Sequence, residues 1–329
     1  MPSAVVVGGA GFVGSHIARR LSRTFDVTVV DVKEPTAGLK WVRCDVRDRD
    51  ALARALRGAD VVVYSAIVQI PAINEDPRGA YEVNIAGLQA ACEAVYRDEG
   101  AKGLLLTGSW HVYGEAGLSG KVSEDYGYRP DTVEERARKY SLSKVCQEVL
   151  VRLYDEMSDK VFGVVRMGTA LGEGMPRGTA ASIFIRKAVS GEPITPFKHS
   201  MYRPMLYVDV EDVARAFEAY VLKIVKGELG GSNSLDHVIN VFWPEPMTIL
   251  DLANTIRDLV RELSGGRIDP EVKVVDRGLP ELYTPDAKEA FRGDVSKLRD
   301  VLGIGDLRDP RETLADLVRA ELRKAGHVA

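Results

Sequence analysis

Glutamine is nearly missing from this chain: only Gln69, Gln89 and Gln147 occur in 329 residues, and asparagine is almost as rare. Depletion of thermolabile amides goes with growth at high temperature and carries no message about function. Cysteine is as sparse. Cys44, Cys92 and Cys146 are too widely spaced for a disulfide framework or a zinc-ligand pattern, so reduced, packed thiols are expected. Basic charge is not in excess either. The balance of 44 Lys and Arg against 48 Asp and Glu gives a net charge of -4 and no positive field for phosphates, which argues against nucleic acid as a partner. No apolar run reaches the roughly 20 residues that span a bilayer. The longest weakly polar stretch, Val61 to Ile73, is interrupted by Tyr64, Gln69 and Pro71. The opening MPSAVVVGGAG has no basic leader before its apolar run, so no signal peptide, no membrane association and a cytoplasmic location are expected.

What is present is average for a soluble globular protein, 45% hydrophobic and 28% charged. At roughly 150 residues per domain, the length suggests two lobes or one large domain. Apolar runs of strand length at Ala4–Val7, Val27–Val30, Val61–Tyr64, Leu104–Thr107 and Phe162–Val165 alternate with helical stretches at Phe12–Ser22, Arg49–Leu56, Gly79–Asp98 and Glu134–Met157. Such alternation predicts an α/β fold with a doubly wound parallel Rossmann sheet. After Arg166, glycine and proline gather in TALGEGMPRGTA and GEPITP, a loop texture that suits a smaller C-terminal substrate lobe. The expected division is 1–170 for the dinucleotide-binding domain and 171–329 mainly for the substrate lobe, with the sheet completed by returning strands near 205–208 and 238–241. A closing helical region is expected from Thr248 onward.

Strand AVVV runs straight into Gly8-Gly9-Ala10-Gly11-Phe12-Val13-Gly14 and a helix. Glycine suits each key position: Gly8 for backbone angles closed to other residues, Gly11 for close approach of a pyrophosphate, Gly14 for helix against strand. The helix N-terminus then faces the phosphates. Strand FDVTVV ends in Asp31, seventeen residues past Gly14, where a carboxylate meets ribose hydroxyls and repels a 2′-phosphate. NAD is therefore expected over NADP, with Lys33 softening the preference. GEAGLSGK, residues 114–121, superficially has the look of an ATP-binding loop, yet its spacing is one residue too long and Val122 stands where a metal-binding hydroxyl is needed.

In KYSLSKVCQEVL, Tyr140 and Lys144 are four residues apart and share one helical face. A lysine there, with a positive nicotinamide ring, would lower a phenol pKa from about 10 and make Tyr140 a general acid or base. Strand LLLTGS delivers Ser109 at its C-terminal end, where doubly wound folds place ligands. A Tyr, Lys and Ser set beside a nicotinamide site implies hydride chemistry at a carbinol carbon.

Taken together, GGAGFVGSH, RCDVRD, DPRGAYEVNIAGLQAACEA, LLLTGSWHVYGE, YSLSK, RPMLYVDVEDVARAF and DVSKLRDVLGI, in that order, resemble the extended short-chain dehydrogenase/reductase family, the NAD-dependent nucleotide-sugar epimerases and dehydratases such as UDP-glucose 4-epimerase. The resemblance implies Ser109, Tyr140 and Lys144 as the catalytic set. It implies NAD held by Gly8, Gly11, Phe12, Val13, Gly14, Asp31, Val32, Asp45, Val46, Ala66 and Asn84, with Tyr140 and Lys144 beside the nicotinamide. His111, Thr169, Arg203 and Arg277 are the implied substrate residues, the two arginines as diphosphate ligands. The reaction implied is UDP-hexose 4-epimerisation by transient hydride transfer to tightly bound NAD, in a homodimer paired through the helices beginning near Gly79 and Glu134.

Three departures bear on the reaction. Family dehydratases carry Asp and Glu in the two positions after the serine or threonine, because elimination needs a separate acid and base. Trp110 and His111 stand there in this chain, so dehydration is disfavoured and His111 becomes a candidate extra acid/base or hydroxyl ligand. Thr169 replaces an asparagine common in the epimerases. Ser-x-His followed by Arg-x-Gly-Thr is similar to the uronate dehydrogenases, which release NADH, so a sugar or sugar-acid dehydrogenase is the alternative. A non-catalytic dinucleotide sensor is the least favoured reading. The segment DTVEERARK before Tyr140 is longer than the family's usual link and is expected to extend the catalytic helix or form a lid. His16 is expected to pack, and His199 is a candidate for the substrate lobe.

Overall fold

Runs of valine and leucine without polar alternation suit strands covered on both faces. The computed structural model, which describes residues 1–36 and 38–327, places them so. Strands β1 (Ser3–Val7), β2 (Asp26–Asp31), β3 (Lys40–Arg43), β4 (Val61–Tyr64), β5 (Gly103–Thr107), β6 (Val161–Met167) and β7 (Val238–Val241) form one sheet. All pairings are parallel, and the order is β7-β6-β5-β4-β1-β2-β3. The order reverses between β1 and β4, the place where such sheets open a crevice at their C-terminal edge.

Helices cover both faces, as parallel crossovers require. Ile17 and Leu21 of α1 (Phe12–Leu21) meet Val213, Phe217 and Tyr220 of the later helix Val210–Lys226 on one face. On the other, Leu52 and Leu56 of α2 (Arg49–Leu56), Leu88, Ala91 and Val95 of α3 (Gly87–Arg97) and Val151 of α4 (Glu135–Glu156) enclose the second layer of core. The stretch expected as one helix from Gly79 is a short helix Pro77–Tyr81, a π-helical turn Glu82–Ala86 and then α3.

A third core is distinct from these two. Trp110, Val112 and Tyr113 pack with Leu171, Tyr207 and Phe242 and with α5 (Ala180–Val189), α7 (Ile249–Leu263) and α8 (Pro310–Lys324), the helix Val210–Lys226 being α6. This third core therefore takes residues from both halves of the chain, while α6 and β7 pack in the first two.

The sheet's expected completion needs one correction. Val238–Val241 does pair with β6, but Met205–Val208 does not reach the sheet. Pro204–Met205 pairs antiparallel with Met247–Thr248, and Tyr207–Asp209 pairs parallel with Thr169–Leu171. A proline has no N–H for an interior ladder, and the only open edge of β6 belongs to β7. The thiols are also not all packed: Cys44 and Cys92 are buried, whereas Cys146 is exposed.

One buried ion pair fixes α4 on the sheet. Arg166 of β6 is 1% exposed and Glu148 of α4 is fully buried. Arg166 Nε donates to both Glu148 oxygens at 2.9 and 3.1 Å, and Nη1 donates to the Tyr113 hydroxyl at 2.5 Å and the Glu124 carbonyl at 2.8 Å. Burial works against the guanidinium charge, and Tyr113 and Glu148 outweigh it, so the arginine stays ionised. Removing one partner of such a pair leaves an uncompensated buried charge. Glu148→Ala is therefore expected to cost about 3–5 kcal/mol of unfolding free energy in urea denaturation; a loss below about 1 kcal/mol, the range of surface pairs, would refute this role.

Candidate active site

The glycine turn follows β1 at the C-terminal edge of the sheet. Gly8 has φ +78°, and a Cβ there would come within 2.5 Å of the Ala66 nitrogen in the loop after β4. At Gly14 a Cβ would lie 2.2 Å from the Gly8 carbonyl oxygen, so α1 can pack this close to the turn only on glycine. Gly11 is different: the Gly8 oxygen, 3.3 Å away, is the only atom near its open side among the described residues. Gly11 is also the N-cap of α1, without a capping side chain and with no acid in the first turn. The leading N–H groups thus have no internal acceptor there, and a pyrophosphate fits them.

Phe12 and Val13 open α1, both half-buried. Asp31 ends β2, its carboxylate accepting from the backbone N–H of Ala10 and of Lys33, each at 3.0 Å. Val32 beside it is exposed. Asp45 is clasped by Arg47, whose side chain is the main cause of a carboxyl held below its ordinary range. Val46 is buried against Gly87. Asn84 sits on the π-turn and is fully buried. Its amide accepts from Val68 N–H at 2.7 Å and donates to the Val68 carbonyl at 3.1 Å, so the side chain shapes the loop beside the turn.

Two elements bring the catalytic candidates together. Ser109 follows β5 and caps the turn Trp110–Tyr113, its oxygen accepting from His111 N–H at 3.3 Å. Helix α4 carries Tyr140 and Lys144, and Ser141 fastens it to the same turn by donating to the His111 carbonyl at 2.7 Å. The Tyr140 phenol faces Ser109, and its ring lies edge-on to the His111 ring with centroids 5.7 Å apart. Lys144, 2% exposed, donates to the Thr107 carbonyl at 2.7 Å and lies 5.9 Å from the Tyr140 ring centroid. The segment before Tyr140 extends the helix back to Glu135, after a short turn at Pro130–Thr132.

Burial rules the electrostatics. It drives the Tyr140 phenol up to about 12, with the Ser109 hydrogen bond acting in the opposite direction. It drives Lys144 down to about 7. The lowered phenol pKa expected from the sequence is therefore not produced by the protein alone, because a lysine stripped of water carries only part of its charge at neutral pH.

His111 links this set to a group that sequence reasoning missed. Its Nδ1 lies 3.1 Å from Ser109 Oγ and its Nε2 lies 3.4 Å from Glu115 Oε1. Glu115 is 1% exposed. Burial would raise its pKa, but Arg203, His111 and Tyr283 overcome this and hold it down to about 2. Its Oε2 accepts from the Tyr283 hydroxyl at 2.6 Å and from Glu134 N–H at 3.1 Å. Arg203, 7% exposed, donates through Nη1 to Glu134 and lies 3.9 Å from Glu115 Oε1. Glu134 and Tyr283, like Glu115, escaped the sequence reading. The four-residue step from His111 to Glu115 was the one available signal.

The other implied substrate residues are less central. Thr169 Oγ1 accepts from the indole N–H of buried Trp110 at 3.2 Å. Arg277 is exposed and stacks on Phe197 at 4.4 Å, with His199 behind that ring. His199 lies inside, its Nε2 3.7 Å from Glu134. His16 packs between Glu211 and the Glu173 carbonyl.

Lys144 has a measurable consequence. An unfolded lysine keeps its proton to 10.5, whereas folded Lys144 releases it near 7, so between these values the unfolded chain binds more protons and stability rises with pH. Lys144→Met removes that contribution. Its gain in unfolding free energy from about pH 7 to about pH 10 is expected to be smaller than the wild type's; an equal gain would show that the folded lysine keeps its proton.

No helix among the described residues is long and apolar enough to cross a membrane. Comparison with known proteins identifies the family. A UDP-glucose 4-epimerase of Thermus thermophilus solved with NAD superposes with a TM-score of 0.75 over 98% of this chain and 99% of that one, at 25% identity. MoeE5, solved with UDP-glucose and NAD, gives 0.78 over 98% and 99% at 23% identity. A protein of Methanocaldococcus jannaschii named as a candidate UDP-glucose 4-epimerase is 30% identical over 268 residues, 77% of this chain and 81% of its own length. Residues 4–235 match the model of the NAD dependent epimerase/dehydratase family, to which this chain belongs.

Proposed function

We propose that the chain is a nucleotide-sugar 4-epimerase that acts on a UDP-hexose and keeps its NAD bound. The observation that carries the reading is the convergence of Ser109, Tyr140 and Lys144 at the C-terminal edge of the sheet, the same edge that carries the glycine turn, with buried Arg203 joined to them through Glu115 and His111. The named relatives that bind UDP-sugars support the substrate class.

Gly8, Gly11 and Gly14 would admit the pyrophosphate to the start of α1, and Asp31 would meet the adenosine ribose. NAD bound there supplies a reversible hydride acceptor and a positive ring charge. Tyr140 takes the proton of the sugar's C4 hydroxyl and later returns it, while Ser109 holds the same oxygen. Lys144 stands below the phenol, and its partial charge favours the phenolate when the hydroxyl proton moves. A second reading, net dehydrogenation of a sugar or sugar acid, is favoured by one observation. His111 joins Ser109 and Glu115 in a single line, which offers an added proton route at the substrate hydroxyl.

One incubation separates them. The purified enzyme, given UDP-galactose, is expected to yield UDP-glucose without net NADH, and Tyr140→Phe to abolish this while retaining NAD. Stoichiometric NADH from galacturonate plus NAD, with UDP-galactose untouched, would move the chain to the dehydrogenases. Near-normal turnover by the Phe variant would refute the role of Tyr140.

The reading includes a homodimer. Leu142, Cys146, Val149 and Leu153 form an exposed apolar stripe along α4, and Tyr96 is exposed on neighbouring α3. A second copy of this surface suits the stripe. Val149→Glu is expected to halve the mass seen by light scattering, and an unchanged mass would exclude this face.

A further inference from the structure

Arg203 is the residue that the family resemblance assigns to the substrate diphosphate, yet its charge is already answered inside the protein. Glu134 accepts from its Nη1, and Glu115 lies 3.9 Å from its Nε. The two carboxylates are not equivalent. Glu115 is fixed: it is almost fully buried and accepts from Tyr283 and from the Glu134 backbone. Glu134 stands at the outer side. It is the N-cap residue of α4, immediately before the helix's first turn, and its Oε2 also accepts from Nε of Arg136, whose side chain is mostly exposed.

We propose that Glu134 is a built-in competitor for the substrate's anion, occupying the edge of Arg203 that a diphosphate would take. A guanidinium fork accepts a carboxylate or a phosphate in the same way. One cation cannot hold Glu115, Glu134 and a diphosphate at once, because the like charges would crowd a water-poor space. Since Glu115 has no route out, Glu134 is the group that yields, and Arg136 receives it at the surface. In the absence of an anion the same contact gives buried Arg203 a second carboxylate beside Glu115. Glu134 thus sets both the affinity for anionic substrates and the preference for those with charge enough to displace it. It is a specificity-determining residue on the segment that lengthens the link before Tyr140.

This inference rests on the nucleotide-sugar reading, so its test uses UDP as the probe and scores turnover separately. UDP binding is measured by calorimetry on the NAD-loaded wild type and on Glu134→Gln, with uridine as the uncharged control. The variant is expected to bind UDP about 5- to 100-fold more tightly, the span of an ordinary coupling free energy, with uridine unchanged. Equal or weaker UDP binding by a variant that melts like the wild type overturns the proposal. Should the Gln variant not fold, Glu134→Asp carries the test, because it keeps the charge and shortens its reach. A smaller but measurable tightening is then expected, and none overturns the proposal. Turnover of UDP-galactose with unaltered UDP affinity would sink the role of Glu134 alone. Absence of UDP binding in every form at millimolar concentration would sink the nucleotide-sugar reading with it.

Discussion

Charge buried without water must find charge, and the placement of the helix that carries Tyr140 and Lys144 follows from that constraint. Arg166 and Glu148 meet in the core with the Tyr113 hydroxyl and the Glu124 carbonyl closing the remaining donors. Tyr128 also donates to Glu148 at 3.0 Å. Together these contacts tie β6, α4 and the segment after Ser109 into one polar knot. From that knot α4 runs back one turn to Lys144 and a second to Tyr140. The phenol therefore owes its place beside Ser109 to a pair that touches no substrate. Polar groups inside a core tolerate few arrangements, which is why such a knot holds a reactive geometry well.

The second constraint is desolvation at the site itself. Burial moves Tyr140 and Lys144 in opposite directions, the phenol up and the ammonium down. Each shift brings its group away from charge, so at neutral pH the phenol is neutral and the lysine carries only part of its charge. A proton acceptor made in this way is held in reserve until a positive partner arrives, and the protein then needs no rearrangement to use it.

Much of this was legible in the sequence. The valine runs, the glycine turn with Asp31 after it, and the four-residue step from Tyr140 to Lys144 are local signals, and each specifies its own element. Strand β3 was not legible, because KWVR is four residues at an exposed edge and owes its pairing to β2. Met205–Val208 read as a sheet strand because apolar character does not say which partner is available. Glu115, Glu134 and Tyr283 carry no motif. They meet only because the fold folds the segments after β5, before α4 and near the C-terminal lobe's loops onto one arginine. Arg203 was expected from the resemblance to be an anion ligand, but its carboxylate partners carry no sequence signal, so a cation paired inside the protein read as an open one.

The π-helical turn at Glu82–Ala86 has a geometric consequence of its own. One extra residue in the turn shifts everything before it by about 100° around the axis relative to everything after it. Below the turn, Leu88, Ala91 and Val95 point into the core; within it, Asn84 points at Val68. A regular helix would have to choose between these two directions. By slipping its phase once, a single continuous rod addresses the hydrophobic layer with one side and the loop beside the dinucleotide turn with another, so the shape of that loop is set by where the slip occurs.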